Sequence, residues 1–171
     1  QENFSSLEEK CNEKLLLFKG TQALVYQLDD KIAAKCITAA HYDGQLLAWS
    51  EHDTTAAFYV NSIEKHETTS TINYIWQQTT HGSYTLPFID DASISDSITC
   101  AVVALHFGIQ PDVLAQRMAV LEPVAMRLEV KEGQHGCTLI NDSYNSDINS
   151  LDIALDFMNR RPDQKRRERT L

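Results

Sequence analysis

Cysteine is scarce in this chain of 171 residues and never closely spaced: the four stand at 11, 36, 100 and 137, with no Cys-x-x-Cys. Zinc sites and disulfide frameworks need closer spacing, so neither is expected, and unpaired thiols suit a reducing, cytoplasmic compartment. Glycine is sparse too. None of the six glycines (20, 44, 82, 108, 133, 136) precedes a Gly-Lys-Ser/Thr, so the chain contains no phosphate loop of the G-x-x-x-x-G-K-[ST] kind. No apolar run approaches the ~20 residues of a membrane helix, and the opening "QENFSSLEEK" does not read as a secretory leader. No membrane partner is therefore expected. The six histidines (41, 52, 66, 81, 106, 135) show no metal-ligand spacing, and no Gly-x-Ser-x-Gly or Cys/His pairing marks a nucleophile. Basic residues are lacking except at one end. Six of the 15 lie in the last twelve positions, leaving 9 basic against 22 acidic residues, a net of −13, over 1–159. Such a body repels nucleic acid, and the basic tail reads as a solvated helix end.

Hydrophobic residues supply 43% of the chain, enough for a folded core. Ser5 with Glu8 forms a possible capping box for a helix whose apolar face is Leu7, Cys11, Leu15 and Phe18, stopped by Gly20. "QALVYQ" (22–27) predicts a short buried strand, "DDKIAAKC" a short helix and "QLLAWS" (45–50) another strand. Residues 56–88 read as a β meander; in its second strand Ile72, Tyr74 and Trp76 alternate with polar neighbours. Ile94, Ile98, Ala101, Val102 and Leu105 form one helical stripe. Pro111 suits the first position of the next helix, carrying Leu114, Met118 and Leu121 and ended by Glu122-Pro123.

The region 127–142 reads as a hairpin around Gly133 and Gly136, followed by a helix from about Ile148 to about Asn159. A boundary is expected near Pro123 to Met126, dividing 1–124 from 125–171. The 47 residues 125–171 approach the ~40-residue floor for independent folding, so they read as the start of a second domain. Between the hairpin and the last helix lies the polar run Asp142-Ser143-Tyr144-Asn145. Read by itself it is a helix-entry loop, in which Asp and Asn bond local N–H groups and Tyr covers the core edge.

The order of these segments carries a resemblance. "LPFIDDASISDSITCAVVALHFGIQPDVLAQRMAVLEPVAMRLEVKEGQHGCTLINDSYN" resembles the Mur ligases, which build the bacterial cell-wall peptide by ATP-dependent amide formation. In that family two helices lead to Arg-Leu-Glu (here Arg127-Leu128-Glu129), then a hairpin, then an Asp-Ser-Tyr-Asn loop. The resemblance is strong from 98 to 157, fair from 1 to 36 and weak across the meander. It implies an α/β fold: the C-terminal part of a central ATPase domain, with helices and a β meander, then the start of a Rossmann-like C-terminal domain.

It also implies a chemistry. ATP and Mg²⁺ would be the cofactors, and a UDP-linked muramoyl peptide and D-alanyl-D-alanine the substrates, joined through an acyl phosphate. Lys14, twelve residues after Glu2, matches a lysine whose carbamate helps hold Mg²⁺; a carbamate is an anionic oxygen ligand suited to a hard cation. By its residue type alone Lys14 is a solvated helix lysine. Asp142 would bind nucleotide hydroxyls or order water around the phosphates, Tyr144 would pack beside the nucleoside, Asn145 would fix the loop, and Arg127 would reach the nucleotide from a hinge. The family's phosphate loop lies upstream of a metal-binding His expected before Gln1.

The sequence also departs from the family. Where Gly-Arg-His-Asn-x-x-Asn contacts adenine, this chain has Asp90-Asp91-Ala92-Ser93-Ile94-Ser95-Asp96. Only Asp96 could still accept a bond from the adenine amino group; its alternative role is helix capping or first-turn charge. Ser146-Asp147-Ile148 replaces Ala-Asn-Pro, and Met126 replaces a glycine. This wording resembles the ligases fused to an alanine racemase, so a bifunctional parent is expected. A non-catalytic scaffold domain in such a parent is the alternative.

Overall fold

The computed structural model describes residues 4–122, 129–143 and 148–160. The chain divides into two compact units, Gln1–Leu121 and Glu122–Leu171. The expected boundary residues, Pro123 to Met126, lie outside the described residues.

In the first unit, α1 (Leu7–Leu15) leads through a 3₁₀ turn (Leu16–Phe18) to β1 (Ala23–Gln27), α2 (Lys31–Ala39), β2 (Gln45–Ser50), β3 (Phe58–Lys65), β4 (Ser70–Trp76) and β5 (Thr80–Leu86), then α3 (Asp91–His106) and α4 (Pro111–Met118). The sheet runs in the order β1-β2-β3-β4-β5. β1 and β2 are parallel, in register from Ala23 opposite Gln45 to Gln27 opposite Trp49. Parallel neighbours need a crossover, and α2 supplies it. β3 is also parallel to β2, but only Trp49 and Ser50 pair, with Phe58 and Tyr59. β3 thus begins beside the end of β2 and runs on past it, which is why residues 51–57 can join them without a helix. β3, β4 and β5 form the expected antiparallel meander, with a bulge at Asn61.

Alternation fixes which face of the meander is buried. Ile72, Tyr74 and Trp76 are 0%, 2% and 8% exposed, as their period of two requires. Phe58 stacks on Tyr74 with ring centroids 4.6 Å apart. α3 brings its stripe of Ile94, Ile98, Ala101, Val102 and Leu105 into the same core, each large side chain contributing about 1.5–3 kcal/mol by leaving water. Two polar bonds fix its rotation: Trp49 Nε1 donates to Thr99 Oγ1 (3.2 Å), and the Tyr84 and Ser97 hydroxyls meet at 3.2 Å. Pro111 stands at the first turn of α4, and Leu114 and Met118 are buried. Leu121 is not part of that face. The helix ends at Met118, so the i+3 spacing no longer applies and Leu121 is exposed.

The N-terminal cap is shifted by one residue from the expected Ser5/Glu8 box. Ser6 is the N-cap and accepts from the Glu9 amide (3.0 Å), while the Glu9 carboxylate accepts from the Ser5 amide (2.6 Å) and hydroxyl (2.5 Å). Two serines in a row leave the register open to sequence reasoning; the reciprocal Glu settles it. Gly20 ends the segment at φ +79°, a left-handed conformation that favours glycine.

In the second unit, β6 (Glu129–Glu132) and β7 (Thr138–Asn141) form the expected hairpin, with Glu129 opposite Asn141. Gly136 adopts φ +71° in its turn, a conformation that favours glycine, and a Cβ on Gly133 would lie 2.4 Å from Cys137 Sγ, so that side chain would have to shift. α5 (Ile148–Arg160) follows. Leu155 and Met158 are half-buried, whereas Ile148 and Leu151 of the same spacing are exposed.

Candidate functional site

Lys14 occupies the last turn of α1 and is exposed. Glu2 lies outside the described residues. No group of three or more His, Cys, Asp or Glu side chains converges to hold a metal among the described residues. Lys14 therefore fits Mg²⁺ only as one contributed ligand; the described residues do not make a cation site by themselves.

Asp96 lies in the second turn of α3, exposed, and its carboxylate has no hydrogen-bond or ion-pair partner among the described residues. The capping role that the sequence allowed for it belongs to Asp90, whose carboxylate accepts from the Ser93 amide at 2.8 Å. Asp91 supplies the first-turn charge and pairs with Lys65. Local structure therefore leaves Asp96 without a capping duty.

Asp142 follows β7 directly and is half-buried. Beside it, Asn141 Nδ2 donates to Glu129 across the hairpin (3.4 Å) and the Ser143 hydroxyl donates to Asn141 Oδ1 (2.7 Å). The strand end is thus organised by side-chain bonds of Asn141 and Ser143. Arg127, Tyr144 and Asn145 lie outside the described residues.

One cluster escaped the sequence reading. At the carboxyl ends of β1 and β2, the Asp29 carboxylate accepts from the Ser50 hydroxyl (2.7 Å) and the Glu51 amide (2.8 Å), with His52 Nδ1 at 3.4 Å. Ser50 is fully buried and also accepts from the His52 and Asp53 amides. Burial pushes the Asp29 carboxyl up, but the bonds from Glu51, Ser50 and His52 outweigh it and hold the group below its ordinary value. Every bonding capacity of the Ser50 hydroxyl is committed, so the cluster is a latch between strand ends and not a Ser-His-Asp nucleophile. The doubled acid Asp29-Asp30 was the available signal. Asp30 caps α2 through the Ile32 and Ala33 amides, which leaves Asp29 for another task.

No family model matches the chain. Over 118 residues, 69% of the chain, it is 24% identical to the UDP-N-acetylmuramoyl-tripeptide--D-alanyl-D-alanine ligase of Bacillus subtilis (strain 168). The chain is thus similar in sequence to a Mur ligase. The solved structure of MurF from Acinetobacter baumannii superposes with a TM-score of 0.77 over 92% of the chain at 17% identity. MurF ligase from Thermotoga maritima, solved in complex with ADP, gives 0.69 over 92% at 15% identity. The Mur ligase fold is thus shared across the first and second units, the weakly resembling meander included. The chain spans 22% of the length of the Bacillus relative and 34% and 36% of the two solved chains. No helix among the described residues is long and apolar enough to cross a membrane.

Proposed function

We propose that the chain is a segment of an ATP-dependent Mur-type ligase, with the later part of the central ATP-binding domain at 1–124 and the start of the C-terminal ligase domain at 125–171. The reaction is the addition of D-alanyl-D-alanine to UDP-N-acetylmuramoyl-tripeptide in peptidoglycan synthesis. The γ-phosphoryl group passes to the peptide carboxylate, the dipeptide amine attacks the acyl phosphate, and phosphate leaves. Such transfers depend on positioning and on neutralising charge. Asp96 would accept from the adenine amino group, Arg127 and Asp142 would contact the nucleotide, Tyr144 would pack beside the nucleoside and Asn145 would brace the loop. Mg²⁺, when bound, neutralises phosphate charge; Lys14 as its carbamate would supply part of the coordination.

The observation that carries this reading is the agreement of two independent likenesses: a sequence match to a D-alanyl-D-alanine ligase and a fold match to MurF over nearly the whole chain. The test is ADP release by the intact parent protein. It should require both UDP-N-acetylmuramoyl-tripeptide and D-alanyl-D-alanine, and Asp142→Ala should lower it at least tenfold. ADP release that ignores the dipeptide would refute the substrate assignment.

A second reading has one observation in its favour. The stretch that replaces the family's adenine motif is committed to local structure, Asp90 as a cap and Asp91 as the partner of Lys65. A non-catalytic, Mur-ligase-like scaffold in a bifunctional ligase/alanine racemase would show that pattern. A folded parent that releases no ADP with any dipeptide would favour it.

A further inference from the structure

Two thiols meet across the interface of α1 and α2, and the proposed ligase chemistry uses neither. α1 packs against α2. Cys36, on α2, is buried, and its Sγ lies 3.9 Å from the carbonyl oxygen of Glu8. Glu8 stands three residues before Cys11, so both lie on the same face of α1. Cys11 is half-buried, and burial together with the neighbouring Cys36 thiol pushes its own thiol up. Lys35 approaches the Glu8 carboxylate from α2 at 3.8 Å, a solvent-exposed pair beside the thiols. The remaining cysteines, Cys100 and Cys137, are exposed.

We propose that Cys11 and Cys36 are a modification site, a dithiol pair that closes reversibly into an intramolecular disulfide by exchange with a small disulfide such as oxidised glutathione. Cys11, the more accessible, attacks first as its thiolate; the glutathione S–S bond breaks and one glutathione thiolate departs. Cys36 then loses its proton and attacks the Cys11 sulfur of the mixed disulfide, releasing the second glutathione. Two protein thiols give up two protons and two electrons, and one glutathione disulfide becomes two thiols. The bridge has a structural consequence. α1 contains no fully buried residue, so few contacts hold it to α2, and a covalent link between the helices restricts its opening.

The test uses the whole chain, incubated with oxidised glutathione, alkylated and digested with trypsin. Cleavage after Lys10, Lys14, Lys35 and Lys65 should yield the peptide 11–14 joined by a disulfide to the peptide 36–65. Cys100 and Cys137 should carry single glutathione adducts. Cys11→Ser, at the half-buried position, should abolish the joined peptide, and amide hydrogen exchange in α1 should slow on oxidation in the unmodified sequence but not in Cys11→Ser. Recovery of Cys11 and Cys36 both alkylated while Cys100 is fully modified would overturn the proposal. So would a stable glutathione adduct on Cys11.

Discussion

Replacing Asp29 by Ala should remove more stability than any other single exposed or half-exposed carboxylate in the first unit. The carboxylate is 20% exposed and accepts from one buried hydroxyl and one amide, with His52 nearby. A hydrogen bond to a charged group contributes about 1.5–3 kcal/mol, and losing two that share one acceptor is less than additive, so the expected cost is about 3 kcal/mol near neutral pH. His52 contributes little of this: its side chain is 82% exposed, and His52→Ala should cost under about 0.5 kcal/mol. The pH dependence has a definite sign. A carboxyl whose folded pKa is depressed stabilises the protein above its unfolded value, 3.8, and that contribution is lost as the pH falls through the folded value. The cost of Asp29→Ala should therefore be constant from about pH 7 to about pH 5 and shrink below about pH 4. Denaturant unfolding of both proteins at each pH is the assay. A cost under about 1 kcal/mol at neutral pH would refute the latch, and an equal cost at acid pH would refute its charge.

Two neighbouring tyrosines should respond with opposite signs. Tyr84→Phe removes a hydroxyl bonded to Ser97 and should cost about 1 kcal/mol in thermal or denaturant unfolding. Tyr74→Phe removes a buried hydroxyl that has no hydrogen-bond partner among the described residues, and should be neutral or stabilising by up to about 1 kcal/mol. Equal losses from the two would contradict that difference. Because the sequence contains no phosphate loop, calorimetric titration of this chain with Mg-ATP should show no binding tighter than about 1 mM, equivalent to about −4 kcal/mol; a micromolar dissociation constant would contradict it.

The sheet and helix order could be read from the sequence because burial imposes periods on it. Ile72-Tyr74-Trp76 shows the strand period, and Ile94 to Leu105 the helical one, with the core on a single face in each case. Helix ends were harder. Ser5 and Ser6 are chemically equivalent as caps, and only the reach of Glu9 distinguishes them. Leu121 continues an i+3 pattern that the backbone abandons at Met118. The Asp29–Ser50 latch joins positions 21 residues apart, and no local period reports a pairing made by two parallel strand ends. The candidate site had the opposite character. Lys14, Asp96, Asp142 and the Arg127 and Tyr144-Asn145 positions came from segment order and motif resemblance, since exposed polar residues leave no periodic trace. For Asp96 the structure bears only on the alternative role: the cap of α3 is Asp90.

The central claim, that this chain contributes to an ATP-dependent ligase site, is tested most directly at Lys14 in the intact parent enzyme. Carbamate formation needs a neutral amine, which desolvation or a neighbouring positive charge must favour; an ordinary lysine with a pKa near 10.4 rarely reacts. If the proposal holds, Lys14→Ala loses the proposed carbamate and should abolish most amide formation between UDP-N-acetylmuramoyl-tripeptide and D-alanyl-D-alanine. Added short-chain carboxylates should restore part of the rate by replacing the missing oxygens, while leaving the unsubstituted enzyme unchanged. Full activity of Lys14→Ala without any additive would show that Lys14 is a solvated lysine at the end of α1 and would contradict the account.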